Sequence, residues 1–131
     1  MKRTLAAAAA YFALVFGLAF LLGVVRTVFI APRVGDLAAV LIETPLILLI
    51  SWRAANWSIR QFSVPTGTSD RLGMGVVAFL FLMTVETVLS HLLFDRSVAQ
   101  QLAAYATPAG AVGLAAQTIF GLIPLLVARR R

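Results

Sequence analysis

Cysteine is missing from this chain altogether, and histidine occurs once, as His91. The first absence excludes disulfides, thiolate metal sites and cysteine nucleophiles. The second leaves no histidine partner for a zinc or haem centre. Charge is scarce too: Asp, Glu, Lys and Arg make up 12% of the 131 residues, whereas 61% are hydrophobic. A soluble domain of this length needs far more polar surface to face water. Phosphate-binding glycine loops, nucleophile elbows, zinc motifs and dinucleotide fingerprints are absent, so no cofactor is expected. The length suits a single domain.

What the chain does have is four long apolar runs, at about 5–30, 37–55, 72–94 and 108–128. A bilayer core of roughly 30 Å needs about 20 helical residues, and each run supplies that number. Lipid offers no partner to an unpaired amide, so the runs must be helical. The expected fold is an all-α membrane protein, a bundle of four transmembrane helices. The first run follows Lys2 and Arg3 as a signal peptide would. It is longer than the apolar part of a signal and lacks a small-residue cleavage site, so it reads as a retained span.

Turn and capping residues mark the helix starts: Gly35-Asp36, Ser69-Asp70 and Thr107-Pro108. Asp95 opens a shorter segment, 96–105, with Val98, Leu102 and Tyr105 on one face and Arg96, Gln100 and Gln101 elsewhere. This pattern predicts a short helix at the outer interface, between the third and fourth spans. Residues 52–62 prolong the second span amphipathically, with Trp52, Ala55, Ile59 and Phe62 on one side. Pro45 and Pro124 lie inside spans and free the carbonyls four residues earlier, Leu41 and Phe120.

The formal charge of +6 follows membrane topology and not nucleic-acid binding, because the basic residues sit at the ends of apolar runs. With the N-terminus inside, eight of them are cytoplasmic: Lys2, Arg3, Arg53, Arg60, Arg71, Arg129, Arg130 and Arg131. Three are outside: Arg26, Arg33 and Arg96. This bias predicts both termini in the cytoplasm and a multi-pass protein of a bacterial inner membrane, since no organelle-targeting signal is present. Trp52 and Trp57 fit the inner headgroup layer, and Arg129, Arg130 and Arg131 fit contact with anionic headgroups.

Small residues recur at four-residue spacing, as Ala9, Ala13 and Gly17 in the first span and, with Gln117 in the series, Ala109, Gly113, Gln117 and Gly121 in the fourth. Such stripes let helices approach closely, either within the bundle or in self-association or contact with another membrane protein. Partners are therefore the lipid bilayer, other membrane proteins or a second copy, with no nucleic acid.

Two of the five acidic residues, Glu43 and Glu86, lie inside spans. Counted from the nearest helix ends, both fall about 10–12 Å from the outer side. A charged carboxylate at the bilayer centre costs about 2.5–3.5 kcal/mol on insertion scales. The pair must share a proton, pair with Arg26, or be hydrated by a vestibule open to the outside. Arg33, Ser90 and His91 complete the candidate polar cluster with Arg26, Glu43 and Glu86. In size the chain is similar to the small multidrug-resistance transporters, which also use a membrane glutamate. Theirs lies in the first helix, where this chain has none, so the similarity is one of size.

Three functions fit these features. An accessory, structural or assembly component needs no catalytic groups. A small proton- or cation-linked transporter would use Glu43 and Glu86. A lipid-modifying enzyme would use Glu43, Glu86 and His91 as acid–base groups, with Arg26 or Arg33 on a phosphate.

Overall fold

The computed structural model describes residues 2–129, with side chains up to Val127. No strand occurs among the described residues. Helix α1 (Lys2–Val25) passes through a π-helical turn (Arg26–Ile30) into α2 (Ala31–Val34). Then follow α3 (Asp36–Gln61), α4 (Thr68–Phe94), the short α5 (Val98–Ala104) and α6 (Pro108–Arg129). Four stretches are long and apolar enough to cross a membrane: Lys2–Val34, Asp36–Gln61, Thr68–Phe94 and Pro108–Val127.

The π turn has a local cause. Pro32 carries no N–H for the Val28 carbonyl and its ring would strike that carbonyl, so the backbone widens just before it. The Ala31 amide accordingly donates to the Arg26 carbonyl, five residues back. Gly35, at φ 87°, then reverses the chain into α3 in a conformation that a side chain would strain.

At the other end of α3, Ser63 takes a left-handed conformation and the Val64 amide donates to the Ile59 carbonyl at 3.1 Å. This is a Schellman cap, and its apolar partner Val64 is 5% exposed, packed on the core.

The four long helices form a ring. Helix α1 packs on α3 and α4, and α6 packs on the same two, so α1 faces α6 across the centre and α3 faces α4. The core combines alanines such as Ala7, Ala55 and Ala78 with branched aliphatics, Met74 and the aromatics Tyr11 and Phe120. Gly75 of α4 sits directly on α6, where a Cβ would stand 1.8 Å from the Gly121 carbonyl oxygen. Outward, the bundle is apolar, with Leu21 62%, Leu92 71% and Phe94 72% exposed. An apolar exterior of this extent is compatible with lipid as the solvent.

Several expectations need adjustment. Ala9, Ala13 and Gly17 face outward, and α1 instead buries Thr4, Ala7, Ala8, Tyr11 and Val15. Asp95 does not cap α5. It ends α4 in a left-handed conformation, and Ser97 caps α5 through a reciprocal box with Gln100. Arg71 is fully buried, with its Nε donating to the Pro65 carbonyl at 3.1 Å, so it pins the α3–α4 loop from inside the fold. The side chain of Arg129 and the whole of Arg130 and Arg131, expected on headgroups, lie outside the described residues.

Candidate functional site

The structure divides the candidate polar residues into two separate clusters. Arg26, at the start of the π turn, points its Nε at Glu43 Oε2, 2.7 Å away. The side chains are 33% and 13% exposed, so the carboxylate is the more enclosed partner. Arg26 can reach α3 because α1 and α3 form a hairpin, closed by α2 and Gly35, that places the two residues on facing walls. Thr44, next to Glu43, turns its hydroxyl back onto the Val40 carbonyl at 2.8 Å and adds nothing to the pair. Beside Arg26 lies a cleft of about 300 Å³, lined by Arg26, Thr27, Ala31, Pro32 and Asp36.

Glu86 of α4 is held quite differently. Its Oε1 accepts from the Tyr105 hydroxyl at 2.8 Å and from Gln101 Nε2 at 3.4 Å. Its Oε2 accepts from Gln117 Nε2 of α6. Gln101 Nε2 also reaches the Tyr105 hydroxyl at 3.3 Å, so the donors form one network. No cation takes part among the described residues. Burial pushes the Tyr105 phenol above its usual range, opposed by the Gln101 hydrogen bond and assisted by the charge of Glu86. Tyr105 therefore keeps its proton and remains a donor.

This network sets the orientation of α5. Gln101 is buried at 6% exposure, whereas Val98 and Leu102 are 61% and 62% exposed. Glu86 turns the polar side of the helix inward, because an enclosed carboxylate without donors costs more than an exposed leucine. The sequence holds the partners of this network, though not the direction of α5. Gln101, Tyr105 and Gln117 are polar side chains near or within apolar helices, and such groups seek one another.

Thr4 Oγ1 of α1 donates to Asp70 Oδ1 of α4 at 3.4 Å, which ties the starts of these two helices together. With α3 and α4 on opposite sides of the ring, Glu43 and Glu86 share neither a partner nor a wall.

The remaining candidates stay apart from both clusters. His91 is exposed, and its Nδ1 lies 3.3 Å from the Arg96 carbonyl, where it acts as donor. The Ser90 carbonyl accepts the Asp95 and Arg96 amides that close α4. Arg33 is exposed in the last turn of α2. Glu43, Glu86 and His91 thus do not converge on a common point, and no group of three or more metal-ligating side chains occurs among the described residues.

No known protein family, curated protein or solved structure matches the chain. What the fold defines is a class: an all-helical protein with four helices long and apolar enough to cross a membrane.

Proposed function

We propose that this is a four-span protein of the bacterial inner membrane, with both termini cytoplasmic, acting without catalysis as an accessory, structural or assembly component. Its two intramembrane carboxylates then serve the bundle. The supporting observation is that each has its own partners from another element, Glu43 the Arg26 guanidinium as an ion pair and Glu86 the hydrogen-bond donors Tyr105, Gln101 and Gln117. A buried charge closed in this way fixes how helices meet and leaves no reactive group open to a substrate.

The test is to replace Glu43 and Glu86 by Gln, singly and together, in protein reconstituted into vesicles. Under this reading the variants lose thermal stability and acquire no change in ion or proton flux. Flux that is coupled to a proton or cation gradient, and that disappears in a variant still folded, would overturn it. Reporter fusions at the two termini check the orientation, and opposite sides would refute it.

One observation favours a second reading, a small proton- or cation-linked transporter using Glu43 and Glu86. The cleft beside Arg26 gives the Arg26–Glu43 pair a neighbouring space of about 300 Å³. The same flux measurement separates the two.

A further inference from the structure

On the outer surface of the bundle, α1 and α3 enclose a groove of about 470 Å³. Leu14 and Leu18 form one wall, and Leu49, Ile50 and Ala54 the other, with Arg53 as the only charged lining residue. Arg53 is exposed and makes no ion pair with any described residue. Trp57, at 48% exposure, and the exposed Arg60 follow it at four and seven residues, on the same face of α3. Arg60 is engaged only by a long contact from its Nε to the Asn56 carbonyl of its own helix, at 3.5 Å. In the other direction the face continues as Leu49 and Leu46, 54% and 49% exposed. One face of α3 therefore reads apolar, apolar, cation, aromatic, cation.

Each half of this surface calls for a different ligand. A slot walled by leucine and isoleucine takes a hydrocarbon chain. A guanidinium at its end, with no carboxylate partner, takes an oxyanion, and its planar fork suits phosphate. Trp57, apolar in its body and polar at its N–H, fits the layer where chain meets headgroup. A phospholipid joins the two chemistries in one molecule. The cleft beside Arg26 lacks this character, because its arginine is already paired and Asp36 shares its wall.

We infer that the α1–α3 groove holds one anionic phospholipid. An acyl chain lies along Leu14, Leu18, Leu49 and Ile50, the phosphate sits at Arg53, and Arg60 attracts further negative charge in the headgroup. This rests on the chain spanning a membrane, and with a cytoplasmic N-terminus the lipid belongs to the inner leaflet.

The experiment uses the full chain purified in detergent and offered phosphatidylglycerol or phosphatidylcholine with identical acyl chains, with bound lipid counted by native mass spectrometry. The expected result is one retained phosphatidylglycerol per chain, preferred over phosphatidylcholine. Arg53→Gln lowers that preference about fivefold, and Leu18→Trp, which fills the slot, lowers retention of both lipids. Arg33→Gln, on α2 away from the groove, changes nothing. Equal retention of the two lipids by the unaltered chain overturns the inference. So does undiminished preference in Arg53→Gln or, should that variant fail to fold, undiminished retention in Leu18→Trp. Binding of glycerol phosphate as tight as that of the whole lipid also overturns it, since the apolar slot would then be idle. The membrane reading has a separate readout, retention of the chain in carbonate-washed membranes. Its loss refutes that reading, whereas retained protein indifferent to phosphatidylglycerol refutes the lipid site alone.

Discussion

The Tyr11 hydroxyl donates to the Phe120 carbonyl at 2.6 Å, while the two rings stack with centroids 4.4 Å apart. The carbonyl needs that donor. Pro124 stands four residues later in α6 and has no N–H to give, so Phe120 would otherwise leave an acceptor unpaired in the core. A side chain from α1 thus reaches across the bundle to repair a break in α6, and both residues are buried.

Removing the hydroxyl tests this repair. Tyr11→Phe keeps the stacking and loses the hydrogen bond, and the expected cost is about 1–3 kcal/mol, the range for a buried acceptor left unsatisfied. Pro124→Ala restores an amide to the Phe120 carbonyl, so Tyr11→Phe costs less in that background. A double-mutant cycle on thermal or denaturant unfolding in detergent measures the coupling. Additive effects would contradict the repair.

The Glu86 network makes a prediction about pH. Tyr105 has a folded-state pKa raised by burial beyond that of an unfolded tyrosine. A raised value means that its contribution to stability is complete below the unfolded pKa of about 10 and is lost as pH rises through the folded value. Ionisation would place a second negative charge 2.8 Å from Glu86 Oε1. Melting temperatures recorded from neutral to strongly alkaline pH should fall at the alkaline end, and Tyr105→Phe should flatten that fall while lowering stability at neutral pH. An unchanged alkaline limb in Tyr105→Phe would show that the phenol does not report on Glu86.

Arg26 and Glu43 should be unequal as single deletions and milder together. Arg26→Met leaves a carboxylate enclosed without its cation, and breaking a buried pair in this way costs about 3–5 kcal/mol. Arg26 is one-third exposed, so the deletion of Glu43 is the milder loss, because the freed guanidinium can turn outward from the bundle. The double variant Arg26→Met with Glu43→Leu should recover much of the stability. Unfolding of the four proteins in one detergent decides this, and a double variant as unstable as the sum of its parts would argue against the pair.

Much of this architecture could be read from residues in order. Hydropathy alone located the four long helices, because each is an apolar run long enough to cross a membrane and such a run is visible in the order of residues. Pro124 announced a free Phe120 carbonyl, and Arg26 was within reach of Glu43. The direction of α5 was not legible, because Val98 and Leu102 give an amphipathic pattern but do not say which side meets the bundle. That depended on Glu86, fifteen residues from Gln101, needing donors. The outward turn of Ala9, Ala13 and Gly17 was equally hidden. Small residues at four-residue spacing suit a close contact, but α1 also carries Thr4 and Ala8, and beside them Ala7, Tyr11 and Val15, at that spacing, and this second face is the one buried. Nor could the ring order be read off, since short loops do not say whether consecutive helices are neighbours or face one another across the core.

The contact between α4 and α6 turns on Gly75. An added Cβ would lie 1.8 Å from the Gly121 carbonyl oxygen and 2.9 Å from its carbon. Backbone atoms of a packed helix cannot yield as a flexible side chain can, so Gly75→Ala must push α6 away and disturb Met74, Ala78 and Phe120 in the core. The expected loss is about 1–3 kcal/mol, the range for overpacking. Gly73 lies two residues away on the same helix, and a Cβ there meets nothing within 4 Å. Gly73→Ala should therefore be neutral or slightly stabilising, through its better helix propensity. Thermal unfolding of both variants in the same detergent provides the comparison, and equal stability of the two would mean that α4 and α6 do not approach each other at Gly75.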